Sequence, residues 1–165
     1  MHETPDDVMW LQSVLEASYA AAGEHLADIH TPRARLSAER LIAEMDGMQV
    51  MVAATVSSDG RPFTGPVDAF LYRGRLCFGT SPQALRVRHL RRNPAVSITH
   101  ARGEDIVVTA HGRALPYPLC DEEGFVDVLR ANYGADFVAF ALASSYFRVE
   151  PDRLFAADLT VLRTA

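Results

Sequence analysis

The sequence predicts a mainly β protein with added helices, of the α+β class, built around an antiparallel barrel. Three observations carry this. Short apolar, β-branched stretches bounded by Gly, Asp and Pro turns recur from residue 48 onward, hairpin signals join several of them directly, and helical patterns are inserted singly instead of alternating with strands as a parallel sheet requires. At 165 residues, 48% of them apolar, the chain is long enough for one well-buried core and short for two. A single domain over 1–165 is therefore expected, with a helical N-terminal extension over 1–46 and the barrel core over 47–165.

Thr4, followed by Pro5 and two acids, marks a helix start, because its hydroxyl can accept an unpaired N–H and Pro suits the first helical position. Val8, Leu11, Leu15, Ala22, Leu26 and Ile29 keep a helical rhythm, predicting a long helix broken near Gly23 or ending by Pro32. A shorter helix is expected from Ser37, burying Leu41 and Ile42 and ending near Gly47. Residues 48–56 are almost continuously apolar and predict a buried strand closed by Ser57-Ser58-Asp59-Gly60. Residues 61–72 form a second strand, which Pro62 and Pro66 hold to an edge, an end or a bulge because neither can donate to a ladder. A turn at Arg73-Gly74 leads into a third strand ending at Thr80.

Ser81 and Pro82 then carry an N-cap and first-turn signature. The helix they predict holds Arg86, Arg88, Arg91 and Arg92 and stops at Asn93-Pro94. Residues 95–101 and 106–115 read as a hairpin through 102–105. Asp121 is placed to cap a helix burying Phe125, Leu129 and Tyr133 and ending at Gly134. Residues 137–147 are ambiguous, Ala-rich and helical at first, aromatic and strand-like later. Pro151-Asp152 makes a turn, and 154–162 reads as a closing strand.

The net charge of -5 conceals an asymmetry: 3 Arg face 10 acids in residues 1–60, 9 face 3 in 61–113, and 4 face 8 in 114–165. The middle third seeks anions. A helix N-terminus offers free N–H groups and the positive end of the macrodipole, so with Thr80 and Ser81 at its lip and Arg86 one turn in, it can hold a phosphate. The plainer alternative is a solvated arginine face. An acidic chain whose arginines are not interleaved with aromatic residues speaks against nucleic acid. No apolar run reaches a membrane span and no secretory leader stands at the start, so a soluble, cytoplasmic protein with no membrane partner is expected. Cys77 and Cys120 lack paired spacing, and Cys77 reads as an inert core thiol. Of the six histidines, His100 and His111 flank the 102–105 turn at opposite ends and cannot share one metal, so no metal site is expected, while a single axial haem ligand stays open. Asp68 could contact a cofactor ring or cap a bulge, and both readings stand.

An apolar strand ending in Asp-Gly, a strand with Arg-Pro, and Gly-Arg-Leu-Cys-Phe-Gly-Thr are followed by a basic helix closing on Asn-Pro. A strand and then Val107-Val108-Thr109-Ala110-His111-Gly112-Arg113-Ala114 complete the order. This order resembles the pyridoxamine 5'-phosphate oxidase-like split-barrel superfamily over roughly residues 40–115, with Thr80, Arg86, Asn93 and Pro94 matching its spacing without a gap. The resemblance implies a six-stranded antiparallel Greek-key split β-barrel with N-terminal helices, working as a homodimer with FMN in a groove between subunits. It further implies an FMN-dependent oxidoreductase acting on a small-molecule substrate, with a deazaflavin-dependent reductase or a non-enzymatic flavin or haem carrier as alternatives. Arg86 would take the phosphate, with Thr80 and Ser81 beside it, Gly79 at the strand end and Arg88 assisting, while the backbone of Pro66, Val67 and Asp68 would run along the ring. Catalytic residues are not implied. Where the oxidase proper has a basic residue this chain has Ala69 or Phe70, where it has Gln this chain has Val107, and its C-terminal substrate Arg has no counterpart motif, so vitamin B6 oxidation itself is not implied.

Overall fold

The computed structural model describes residues 2–163. Helix α1 (Pro5–Ala20) starts at a reciprocal capping box in which Thr4 accepts from the Asp7 N–H and the Asp7 carboxylate accepts from the Thr4 N–H. The chain breaks near Gly23, as its composition suggests, into α2 (Glu24–Ile29), and Ser37 caps α3 (Ala38–Glu44). Strands β1 (Gln49–Val56), β2 (Pro62–Tyr72) and β3 (Arg75–Thr80) follow, then α4 (Leu85–Arg92), β4 (Ala95–Arg102) and β5 (Ile106–Pro116). Helices α5 (Glu123–Tyr133) and α6 (Phe137–Leu142) precede the long β6 (Ser145–Asp158). The strands close into a six-stranded antiparallel barrel in the order β1-β2-β3-β6-β5-β4.

Four expectations are corrected. Ser81 and Pro82 do not begin α4. Ser81 Oγ accepts from the Gln83 N–H and the Ala84 N–H closes a turn onto the Ser81 carbonyl, so the serine's hydrogen bonds are spent on a turn and the helix starts at Leu85 without a side-chain cap. Asp121 likewise ends a short 3-10 turn, and α5 begins behind Glu122 with no side-chain cap. Pro151 lies inside β6 instead of interrupting it, because the β5–β6 register shifts between His111 and Gly112 and a bulge tolerates the missing N–H. After Asp158 the chain forms a 3-10 turn (Leu159–Leu162), so the closing strand ends earlier than its apolar pattern suggests. The hairpin pairs His100 with Val108 and His111 with Ser97, two residues out of the expected register but still at opposite ends.

β1 also departs from continuous burial. Met51, Ala53 and Thr55 face inward, while Val50 and Val52 point out and are 55% and 48% exposed. Inside the barrel, Met51, Phe78, Ile98, Val108 and Val149 pack with Leu11, Leu15 and Leu41 of the helical extension. A second cluster under α5 joins Phe70, Tyr72, Phe125, Leu129 and Tyr146, with Phe70 and Tyr146 each edge-on to Phe125. Cys77 belongs to it, and burial pushes its thiol far above the ordinary range.

β6 is 14 residues long and β3 only 6, so β3 covers Ser145, Tyr146, Phe147 and Arg148 but not the rest of that edge. The N-terminal extension takes its place. Leu36 N–H donates to the Ala156 carbonyl, Asp158 N–H donates to the Ala34 carbonyl, and Leu154 N–H donates to Ser18 Oγ. Tyr19 Oη donates to the Ala156 carbonyl at 2.8 Å and accepts the Ala156 N–H at 3.1 Å. With its one proton used there, the hydroxyl can only accept from buried His30 Nδ1, 3.1 Å away, which places the imidazole proton on Nδ1. Burial pushes the Tyr19 phenol up to about 12, and burial followed by the Arg35 charge lowers the His30 pKa.

Tyr19→Phe leaves the Ala156 N–H and His30 Nδ1 without this partner and leaves the Ala156 carbonyl with the Leu36 N–H alone, and is expected to cost about 1–3 kcal/mol in urea unfolding. Because the His30 pKa is lowered in the fold, the unfolded chain takes up the proton first. Stability should therefore be flat above neutral pH and fall as pH drops below about 6.5. Urea midpoints between pH 7.5 and 5 should fall less steeply in His30→Gln.

Candidate functional site

The β1–β2 register sets Pro66, Val67 and Asp68 opposite Val52, Met51 and Val50. β3 pairs with β2 through Ala69 and Phe78, and with β6 through Gly79–Tyr146 and Thr80–Ser145, so the end of β3 lies between β2 and the start of β6. At this corner Pro66, Val67, Asp68, Gly79, Thr80 and Ser81, six of the eight residues singled out from the sequence, line one open cleft of about 280 Å³. Apart from Ser144, its remaining wall is aromatic: Tyr133 of α5, Phe137 and Phe140 of α6, Tyr146 of β6 and Phe70 of β2.

Arg86 does not line this cleft. It lines a smaller one of about 160 Å³ with Thr55, Phe63, Thr64, Gly65 and His89. Its Nη1 donates to the Pro66 carbonyl at 3.0 Å, so the guanidinium is braced on a residue of the larger cleft. Gly65 makes this close approach possible, since a Cβ there would lie 2.8 Å from Arg86 Nη2. Among the described residues Arg86 forms no ion pair, and burial lowers its pKa. A half-buried cation lacking a carboxylate partner fits an anionic group. Behind it, buried Thr55 Oγ1 and His89 Nδ1 are paired at 2.9 Å, and the His89 ring lies 5.2 Å from that of Phe63. Arg88 is exposed on α4 and lines neither cleft.

Asp68 accepts a 3.0 Å hydrogen bond from Tyr133 Oη. Burial and the adjacent carboxylate push the Tyr133 phenol well above its ordinary pKa, so it stays a donor. Tyr133 stacks on Phe137 at 4.2 Å between ring centroids, and Phe137 meets Phe140 at 5.3 Å. The Tyr146 ring lies across the β3 backbone at Gly79, where a Cβ would approach its Cε1 and Cζ to 2.8 Å.

These aromatics and Gly65 escaped the sequence reading. Residues 133, 137 and 140 have the spacing of one helical face, but Gly134 reads as a helix end and hides it. Nothing local announces that Tyr146 lies against Gly79. Among the described residues no three His, Cys, Asp or Glu side chains come together as metal donors. His111 Nδ1 pairs with Ser97 Oγ, and His100 Nδ1 with the Val50 carbonyl.

A family model described as Pyridoxamine 5'-phosphate oxidase matches residues 38–162. No curated protein matches the chain. Among solved structures, a conserved hypothetical protein from Mycobacterium tuberculosis superposes with a TM-score of 0.67 at 18% identity, over 81% of this chain and 92% of that one. The haem storage protein of Vibrio cholerae gives 0.60 at 20% identity, over 72% and 91%. An FAD binding protein from Mycobacterium smegmatis gives 0.53 at 17% identity, over 74% and 95%. At these identities the likeness speaks to the fold.

Gly79→Ala forces the new methyl group against the Tyr146 ring, itself packed on Phe125. Overpacking of this kind is expected to cost about 1–3 kcal/mol, read as a lower urea midpoint with unchanged slope.

Proposed function

Because the chain belongs to the pyridoxamine 5'-phosphate oxidase family, we propose that it binds FMN and acts as a flavin-dependent oxidoreductase on a small-molecule substrate. The observation that carries this reading is Arg86, a half-buried guanidinium with no carboxylate partner among the described residues, braced on the Pro66 carbonyl between two clefts. The smaller cleft takes the phosphate tail on the Arg86 fork. The larger takes the ring along the backbone of Pro66, Val67 and Asp68, with Gly79 beside it and Thr80 and Ser81 in its lining, the Ser81 hydroxyl being engaged with Gln83. The flavin, when bound, supplies hydride transfer. The protein's own part is to neutralise the phosphate, cover one ring face with strand backbone and exclude water with the aromatic side chains of α5 and α6.

The outward face of β1 supports a homodimer in this reading. Val50 and Val52 are exposed directly opposite Asp68 and Pro66, and Phe63 and Leu85 are 39% and 45% exposed. A second copy packed on Val50 and Val52 covers this apolar surface and adds a wall beside the larger cleft. Flavin is favoured over haem because no His, Met or Cys lines the larger cleft, and His89 in the smaller one is tied to Thr55. Among the described residues no helix is long and apolar enough to cross a membrane, and both cysteines are free, which fits a cytoplasmic setting.

Purified protein incubated with FMN and passed through gel filtration should carry the two visible flavin bands. Arg86→Ala should weaken FMN retention by roughly tenfold or more with far-ultraviolet dichroism unchanged, and Arg86→Lys should fall between, since a point charge replaces a bidentate fork. Unchanged retention in Arg86→Ala overturns the assignment, as does a protein that takes up only haem or a deazaflavin.

A further inference from the structure

The larger cleft has a charge character that FMN binding alone does not require. Of the residues lining it, only Asp68 carries a formal charge. Arg86 is not among its lining residues and is engaged with the Pro66 carbonyl and the smaller cleft. An anionic substrate therefore meets no counter-ion in this chain's cleft and faces a carboxylate. Aromatic faces supply most of the rest: Tyr133, Phe137 and Phe140 form a continuous run of rings, and Tyr146 adds another. The electron-rich face of an aromatic ring attracts cations, and the attraction strengthens where water is excluded. Phe140 is 62% exposed, so the run of rings extends from the cleft to its mouth.

We infer that the larger cleft selects a planar, positively charged heteroaromatic substrate, held against its aromatic wall with Asp68 as its counter-ion. This rests on the flavin reading for the chemistry performed but not for the charge preference, which follows from the lining. Tyr133 positions the carboxylate. Its hydroxyl donates to Asp68 Oδ2, which fixes the carboxylate's orientation and leaves Oδ1 without a hydrogen-bond partner among the described residues. A phosphorylated or carboxylated substrate is disfavoured by the same arrangement, which sets this chain apart from an oxidase acting on a phosphate ester.

Three probes of one size and different charge test the inference on the full chain at pH 8: 1-methylquinolinium, quinoline and quinoline-2-carboxylate, titrated calorimetrically with and without FMN. 1-Methylquinolinium should bind at least roughly tenfold more tightly than quinoline-2-carboxylate, and the preference should shrink as salt rises. Asp68→Asn should reduce the discrimination between cation and neutral probe to what the aromatic faces supply, whereas Phe137→Leu should weaken all three. Equal binding of cation and anion by the wild-type protein, or no binding of any probe, overturns the inference without reference to a variant. FMN uptake is read separately by absorbance. Protein that takes no FMN yet prefers the cation sinks the flavin reading alone, and protein that binds FMN without the preference sinks only this inference.

Discussion

A strand cannot leave its N–H and C=O groups unpaired at a buried edge, and in this barrel β3 stops long before the strand it pairs with. β6 runs for 14 residues beside a partner of 6, and what happens on either side of that mismatch determines the rest of the molecule. Along the uncovered part of β6, Ser18, Tyr19 and residues 34–36 supply the missing hydrogen bonds, so the helical extension is part of the barrel wall. At the other end, where Thr80 meets Ser145, the chain turns out through Ser81 into α4 while α6 arrives from outside. The opening between those departures is the larger cleft.

The cation and the ring-sized space belong to separate clefts that meet at Pro66, and two glycines shape them. Gly65 lets the Arg86 guanidinium pass close to the strand, and Gly79 lets Tyr146 lie across β3. Each is a close approach of a side chain to backbone, where any larger residue would have to displace its neighbour. Asp68 and Tyr133 then join the cleft's two walls, since one belongs to β2 and the other to α5. The site is thus tied together by contacts between elements far apart in sequence.

That distance explains what was legible in the chain. Caps at Thr4 and Ser37 and the first five strands follow from signals within a few residues of each other, and the structure places them close to expectation. Thr80 and Arg86 stand out in the sequence through their spacing, yet they line different clefts and the helix starts later than Ser81-Pro82 suggests. Local chemistry misled where two local solutions compete: Ser81 satisfies a turn as readily as a helix, and Pro151 fits a bulge as readily as a break. Val50 and Val52 read as core because β-branched residues mark strands without revealing which face is covered. The aromatic wall was illegible because its members come from α5, α6 and β6 and meet only when the barrel closes.

The hydroxyl of Tyr19 reaches β6 across a sequence separation of 137 residues. Without it and the other contacts from the helical extension, β6 would present an open edge, the kind of surface on which strands of separate molecules pair. The first helix therefore doubles as a guard against aggregation.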